Sequence, residues 1–181
     1  MKLHALQLKV ALLSYFRFKR QWICVDEYNG ADVIVDTGKD IIEVEVKVDK
    51  KDLLKGEDRK KGKHHNYKAG YSWRWCHPNR YYFCVPTSLY EDAERKVAEL
   101  NDSYGIIEFQ EENFIYATER NLCRYMEDFI VVRKTARPLH KLYETKHQKG
   151  IAKRASSKLI TLMNAEMRRI DEKVTQECQD A

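Results

Sequence analysis

Ile41-Ile42-Glu43-Val44-Glu45-Val46-Lys47-Val48 is the stretch whose reading decides the fold. β-Branched residues alternate with charged ones, and strand side chains alternate between faces, so Glu43, Glu45 and Lys47 share one face. Ile42, Val44, Val46 and Val48 cover the other. Upstream, Asp32-Val33-Ile34-Val35-Asp36 repeats the pattern and reads as the partner strand, joined through Thr37-Gly38-Lys39-Asp40. A two-residue turn at Thr37-Gly38 and a four-residue turn through Asp40 both preserve parity. In either, Asp32 joins the polar face, opposite Glu43 or Glu45.

Carboxylates set side by side repel one another and raise one pKa. A divalent cation resolves the conflict, and hard oxygen ligands suit Mg2+ or Mn2+. A neighbouring lysine can hold a water and offset charge growing on a phosphate. Two acids, a metal and a lysine are the parts needed to hydrolyse a phosphodiester. The spacing acid-x-Lys is weak by itself. It starts at Glu45, Asp49, Asp58, Glu94, Glu144 and Asp171, and only the copy at Glu45 lies in a β-branched strand behind an acid-bearing hairpin. The plainer alternative is an amphipathic hairpin with a solvated polar face.

With Gly30-Ala31-Asp32-Val33 ahead of Glu43-Val44-Glu45-Val46-Lys47, the chain resembles the PD-(D/E)XK nuclease superfamily, and within it the MmcB-like DNA-repair group. Further matches are Asp52-Leu53, Asp58-Arg59-Lys60, the run Asn79-Arg80-Tyr81-Tyr82-Phe83-Cys84-Val85-Pro86, Tyr104-Gly105-Ile106-Ile107 and Val132-Arg133-Lys134-Thr135-Ala136. Together they span roughly residues 5–140. Ala31 replaces the superfamily's first proline, and Gly56 and Gly62 loosen the segment after Lys47. Some members carry a further acid on the first helix. Residues 1–20 hold none here, which removes a ligand for a second metal.

The resemblance implies an α/β fold with a restriction-endonuclease-like core, a central mixed β-sheet flanked by helices. It also implies a metal-dependent DNA nuclease in repair or recombination. Asp32 and Glu45 would bind Mg2+ or Mn2+ with the Val46 carbonyl, Lys47 would orient the attacking water, and Glu43 would lie in the outer shell. The competing reading is a non-catalytic DNA-binding or assembly module on the same fold. The nuclease domain is expected over 1–137, with 138–181 as a C-terminal helical extension packed on it or at an interface.

The 181 residues carry a net charge of +5, with 34% charged, 43% hydrophobic and 11% aromatic residues. These values exclude a disordered chain and suit a nucleic-acid enzyme better than an architectural DNA coat. The charge is clustered. Lys50, Lys51, Arg59, Lys60, Lys61 and Lys63 crowd one segment, and Lys153 and Arg154 mark another. Both are candidate phosphate contacts for DNA. Five cysteines without paired spacing fit a reducing, cytoplasmic setting. His4, Gln7 and Lys9 break the N-terminal apolar stretch, no small-residue cleavage site follows it, and no run suits a membrane span.

Residues 3–20 read as an amphipathic helix with the stripe Leu3, Leu6, Val10, Leu13 and Phe16, and with Lys9, Arg17, Lys19 and Arg20 on its polar flank. Strands are expected from Trp22, over Arg80–Val85, Tyr104–Phe109 and Phe129–Arg133. Thr87 is placed to cap a helix reaching Leu100, and residues 110–127 read as an inserted hairpin or loop. Between Lys60 and His77, lysines and histidines interleave with Tyr67, Tyr71, Trp73, Arg74 and Trp75. That pattern suits a nucleic-acid contact as well as it suits an ordinary loop. His64, His65, Cys76 and His77 lack the spacing of a structural zinc site. Leu159, Met163, Met167, Ile170 and Val174 form a stripe that serves core packing or a homodimer seam.

Overall fold

The computed structural model describes residues 3–28, 30–68, 78–120, 125–140 and 148–162. Six strands form one mixed sheet in chain order: β1 (Ile23–Tyr28), β2 (Ala31–Asp36), β3 (Ile41–Val46), β4 (Arg80–Pro86), β5 (Gly105–Phe109) and β6 (Ile130–Lys134). The first three pair antiparallel, β3–β4 and β4–β5 pair parallel, and β6 returns antiparallel. The mixed sheet flanked by helices is the α/β architecture the sequence implies. Through β5 the order is a helix, three antiparallel strands, a helix, a strand, a helix and a strand, so β1 and the helix Lys61–Lys68 are added to the helix, hairpin, strand, helix and strand expected for the core.

Asp36 pairs with Ile41, so the four-residue turn is the one used. Gly38 sits there at φ +83°, a conformation that glycine adopts without strain. The Asp36 carboxylate accepts the Gly38 N–H at 2.7 Å, and Thr37 Oγ1 accepts the Asp40 N–H at 2.9 Å.

Helix α1 (Ala5–Ser14) continues as a wider π-helical turn through Lys19 and lies on one face of the sheet. Leu8, Ala11, Leu12 and Phe16 bury there against Val33, Val35, Val44, Val46 and Cys84. The expected stripe is corrected in part: Leu6 and Val10 are exposed and Leu8 and Leu12 face the core, while Phe16 is buried and Leu3 and Leu13 pack at the core's edge as expected. Residues 5–13 are apolar around most of the helix, so the sheet selects the buried face and periodicity does not.

The opposite face receives a helical segment over 50–58, π-helical at Asp52–Gly56, then α2 (Lys61–Lys68) and α3 (Tyr90–Leu100). Its core gathers Leu53, Tyr81, Phe83, Val85, Ala93, Val97, Tyr104 and Ile106. Thr87 does not cap α3. It opens a 3-10 turn, and its hydroxyl donates to the Phe109 carbonyl at 3.3 Å. Residues Glu111–Glu119 form helix α4 instead of the expected hairpin or loop. Glu111 and Glu112 lie in its positive first turn, and Phe114 docks against Phe109 and Phe129.

A last described helix, α5, covers 148–162. Ile151 is fully buried against Val25, Ala31, Ile34 and Ile41, and Lys158 reaches Asp26 at 2.5 Å. Lys153, Arg154 and Leu159 are exposed on it. Met163 and the rest of the expected stripe lie outside the described residues, as do Tyr71, Trp73, Arg74, Trp75, Cys76 and His77. Among the described residues no helix is long and apolar enough to cross a membrane.

Candidate functional site

Strand β3 lies at the middle of the sheet, so both its faces are covered. Parity sends Val44 and Val46 to the α1 side and Glu43 and Glu45 to the α2 side, where they neighbour Tyr81 and Phe83 of β4. Glu43, Glu45 and Lys47 are each at most 4% exposed, so the polar face of this hairpin is not solvated. Buried charges need partners, and the segment 52–67 supplies them.

Lys47 Nζ lies 2.8 Å from Glu57 Oε1, 2.9 Å from Asp52 Oδ2 and 3.4 Å from Glu45 Oε1. Burial acts to lower the Lys47 pKa, but its hydrogen bonds to Glu57 and Asp52 and the nearby Glu45 charge outweigh this and raise it above the ordinary lysine value. Lys60 pairs with Glu45 directly and approaches Glu57 at 3.3 Å. Lys63 spans Glu43 and Glu45, reaching the latter at 3.2 Å. Burial acts to raise the Glu45 pKa, and Lys63 and Lys60 reverse that into a net lowering.

Glu57 is fully buried and sits at the middle of this network. Its Oε2 accepts from His64 Nε2 at 2.9 Å, since a carboxylate can only accept, and His64 Nδ1 faces the Tyr104 hydroxyl at 2.9 Å. Burial pushes the Glu57 carboxyl up; the bonds from His64 and Lys47 overcome this and hold it down at about 2. Tyr67 donates its hydroxyl to Glu43 at 2.7 Å. Lys47, Glu57, His64 and Tyr104 thus form a continuous buried chain running from β3 through the 50–68 segment to the start of β5.

Asp32 belongs to a different set of contacts. Its Oδ2 accepts the Val46 N–H at 2.8 Å, and its Oδ1 lies 2.8 Å from Lys9 of α1, which also pairs with Glu27. The β2–β3 ladder runs to Val33–Val44, and continuing its register would set Asp32 opposite Glu45. Instead the Asp32 side chain reaches across to the backbone between Glu45 and Lys47, and it is held from the α1 side. Glu45 and Lys47 are held from the α2 side. Asp32 thus joins the end of the hairpin through the Val46 amide.

The carboxylates and the Val46 carbonyl have the hard-oxygen chemistry of a magnesium site. The charge that a cation would neutralise is met by Lys9 at Asp32 and by Lys60 and Lys63 at Glu45. No cluster of three or more His, Cys, Asp or Glu side chains close enough to hold a metal occurs among the described residues.

The basic residues divide into two groups. Lys60 and Lys63 turn inward onto acids, and Lys50 pairs with Asp92 at 2.9 Å. Lys51, Arg59, Lys61, Lys153 and Arg154 are exposed. Sequence reasoning missed Glu57, the inward role of His64, and Lys9 as a partner of Asp32. The available signal was the seven-residue separation of Glu57 and His64, two helical turns, ahead of a tyrosine-rich strand.

No family model matches the chain, and no curated protein matches it. Among solved structures it is similar to an XisH family protein from Nostoc punctiforme, at 17% identity and a TM-score of 0.37, over 59% of this chain and 93% of that one. Function is therefore read from the geometry of the site.

Proposed function

We propose that the protein is a metal-dependent DNA nuclease that hydrolyses phosphodiesters in repair or recombination. The observation that carries this reading is Lys47, a buried lysine two residues beyond Glu45 on a central strand, with Asp32 fastened to the amide between them. Such a cluster costs desolvation energy that an apolar face would not, and the resembled superfamily uses these residue types at these positions.

Asp32, Glu45 and the Val46 carbonyl would hold Mg2+ or Mn2+. When bound, the ion supplies Lewis acidity at the phosphate and favours ionisation of a water. Lys60 and Lys63 would release Glu45 and move to phosphate oxygens. Lys47, anchored by Glu57 and Asp52, would orient the water and offset charge developing on the phosphate. The exposed Arg59, Lys61, Lys153 and Arg154 would neutralise backbone phosphates, making affinity salt-dependent and largely independent of sequence.

A labelled DNA cleavage assay tests this reading. Cleavage is expected with Mn2+ or Mg2+, absent in excess chelator, and lost in Asp32→Asn and Lys47→Met proteins whose circular dichroism is unchanged. Cleavage in chelator, or full activity of Lys47→Met, would refute it. One observation favours a second reading, a non-catalytic DNA-binding module. Lys9 already neutralises Asp32, so the site is charge-balanced without a cation. Calorimetry separates the two: no Mn2+ binding alongside retained DNA binding selects the module.

A further inference from the structure

A cleft of about 730 Å3 opens beside the buried acids, between the β1–β2 hairpin and α2. Its described lining combines two kinds of surface. Ala31 and Ile34 of β2 are buried apolar residues, and Tyr28 and Tyr67 contribute aromatic rings. Arg59, Lys60, Lys61 and Lys63 line the same cleft within five residues of sequence. Glu43 also lines it, and there Lys63 and Tyr67 meet its carboxylate. Helix α5 sits close to Tyr28: a Cβ at Gly150 would lie 2.4 Å from the Tyr28 hydroxyl, so any larger residue there would displace this ring.

A stacked duplex offers a protein its phosphates and groove edges, with base faces turned inward. The basic residues alone would suit a duplex; the apolar and aromatic lining would find nothing to cover on one. An unpaired nucleotide offers both a phosphate and an exposed base face, and aromatic side chains stack on bases of any sequence. The volume lies within the range of about 300–1,000 Å3 typical of small-ligand pockets, which suits a nucleotide or two. Lys60 and Lys63 reach from the cleft to Glu45, so a phosphate held by them would lie next to the acids.

We infer that this cleft seats an unpaired nucleotide of a DNA strand, its base on Ala31, Ile34 and the tyrosine rings and its phosphate on the α2 lysines. The inference rests on the nucleic-acid part of the proposed function and names its substrate as single-stranded DNA or a frayed end.

Fluorescence polarisation of the full chain in excess EDTA tests it, using labelled oligothymidylate and a duplex of equal length. The single strand is expected to bind at least about tenfold tighter. Gly62 lines the cleft, is exposed, and a Cβ there meets no atom within 4 Å, so Gly62→Leu adds bulk to the cleft without disturbing the core and without a ring on which a base could stack. That variant should lose roughly tenfold in single-strand affinity and keep its duplex affinity. Arg59→Glu, on the exposed rim, should weaken both forms. Equal affinity for both strands, no binding of either, or undiminished single-strand binding by Gly62→Leu overturns the inference. Because chelator is present throughout, these outcomes are independent of cleavage. Metal-dependent cleavage without strand preference leaves the nuclease reading standing, and strand preference without cleavage leaves this one.

Discussion

Strand β3 faces two very different environments. Toward α1 it presents Ile42, Val44 and Val46 to Leu8, Ala11, Leu12 and Phe16, a dry aliphatic layer. Toward α2 it presents Glu43 and Glu45, with Lys47 next, to Glu57, Lys60, Lys63, His64 and Tyr67. Both faces are equally buried, yet they contribute in opposite senses. Each aliphatic side chain on the first gains about 1.5–3 kcal/mol from leaving water. Each charge on the second loses hydration and recovers it only through partners in good geometry. The first face can therefore account for the fold's stability without any chemistry, whereas the second is a costly way to fill a core unless its charges are used. A nuclease site would use them.

The largest effect should come from removing the acid on which the charged face converges. Glu57→Ala takes from Lys47 and Lys60 one of their buried carboxylate partners and strands His64 Nε2. Breaking a buried pair in this way costs about 3–5 kcal/mol, so a fall of that size in urea-unfolding free energy is expected. A loss below about 1 kcal/mol would show that the face is wetter than its burial indicates.

Glu57 also gives this face a pH signature that the aliphatic face lacks. Its carboxyl is held at about 2, below the ordinary 4.5. The unfolded chain therefore takes up this proton first as pH falls, and protonation favours unfolding. The stabilisation is complete above about pH 4.5 and is lost as pH falls towards about 2. Urea midpoints measured across that window should drop for the wild type and change less for Glu57→Gln.

On the aliphatic side, Leu12→Ala should cost about 3 kcal/mol, the lost transfer energy plus the cavity left behind. Leu12 is fully buried between α1 and the sheet. Its loss should be the same at pH 3 and pH 7, in contrast to the Glu57 variants. A strong pH dependence of the Leu12→Ala effect would mean that the two faces are coupled through β3.

The junction between the faces is Asp32, held by Lys9 from one side and by the Val46 amide at the strand. Replacing the lysine by an acid, Lys9→Glu, removes a cation that competes for the Asp32 carboxylate and adds a hard oxygen donor. Mn2+ binding should strengthen by about tenfold, a difference of about 1.4 kcal/mol, readable by calorimetry. Weaker or unchanged binding would place the metal away from Asp32 and favour the non-catalytic module.

How far these features could be read from sequence depended on periodicity. The hairpin and the shared face of Glu43, Glu45 and Lys47 were legible because β-branched residues alternate strictly from Ile42 to Val48. The same alternation could not tell a solvated face from a buried one. That difference is made by residues 50–68, where glycines and a run of lysines erase any period. Glu57 and His64 draw their meaning from Lys47 and from Tyr104, 40 residues further on, a contact no local pattern contains. Lys9 looked like one more base on a polar flank because its partner Asp32 lies on another element. α4 was hidden because Phe114 alone of its Phe-Ile-Tyr-Ala run is buried, too few positions to set a helical period.

The smallest expected effect concerns the helix whose orientation periodicity misjudged. Leu6 is 67% exposed although it belongs to the expected stripe, while Leu12 is fully buried. If the sheet selects the buried face of α1, Leu6→Gln removes little apolar contact and keeps helix propensity nearly unchanged, since leucine and glutamine are close on that scale. Surface substitutions of this kind stay within about 0.5 kcal/mol. A thermal midpoint within roughly a degree or two of wild type is expected. The charged face should not register the change either, because the contact of α1 with that side of the site is Lys9 at Asp32, three residues further along the helix. A loss of 2 kcal/mol or more would mean that Leu6 is covered in solution, turning α1 to the stripe read from its sequence and moving Lys9 off Asp32. Unfolding of the Leu6→Gln protein, with Mn2+ affinity measured on the same sample, would expose both consequences together.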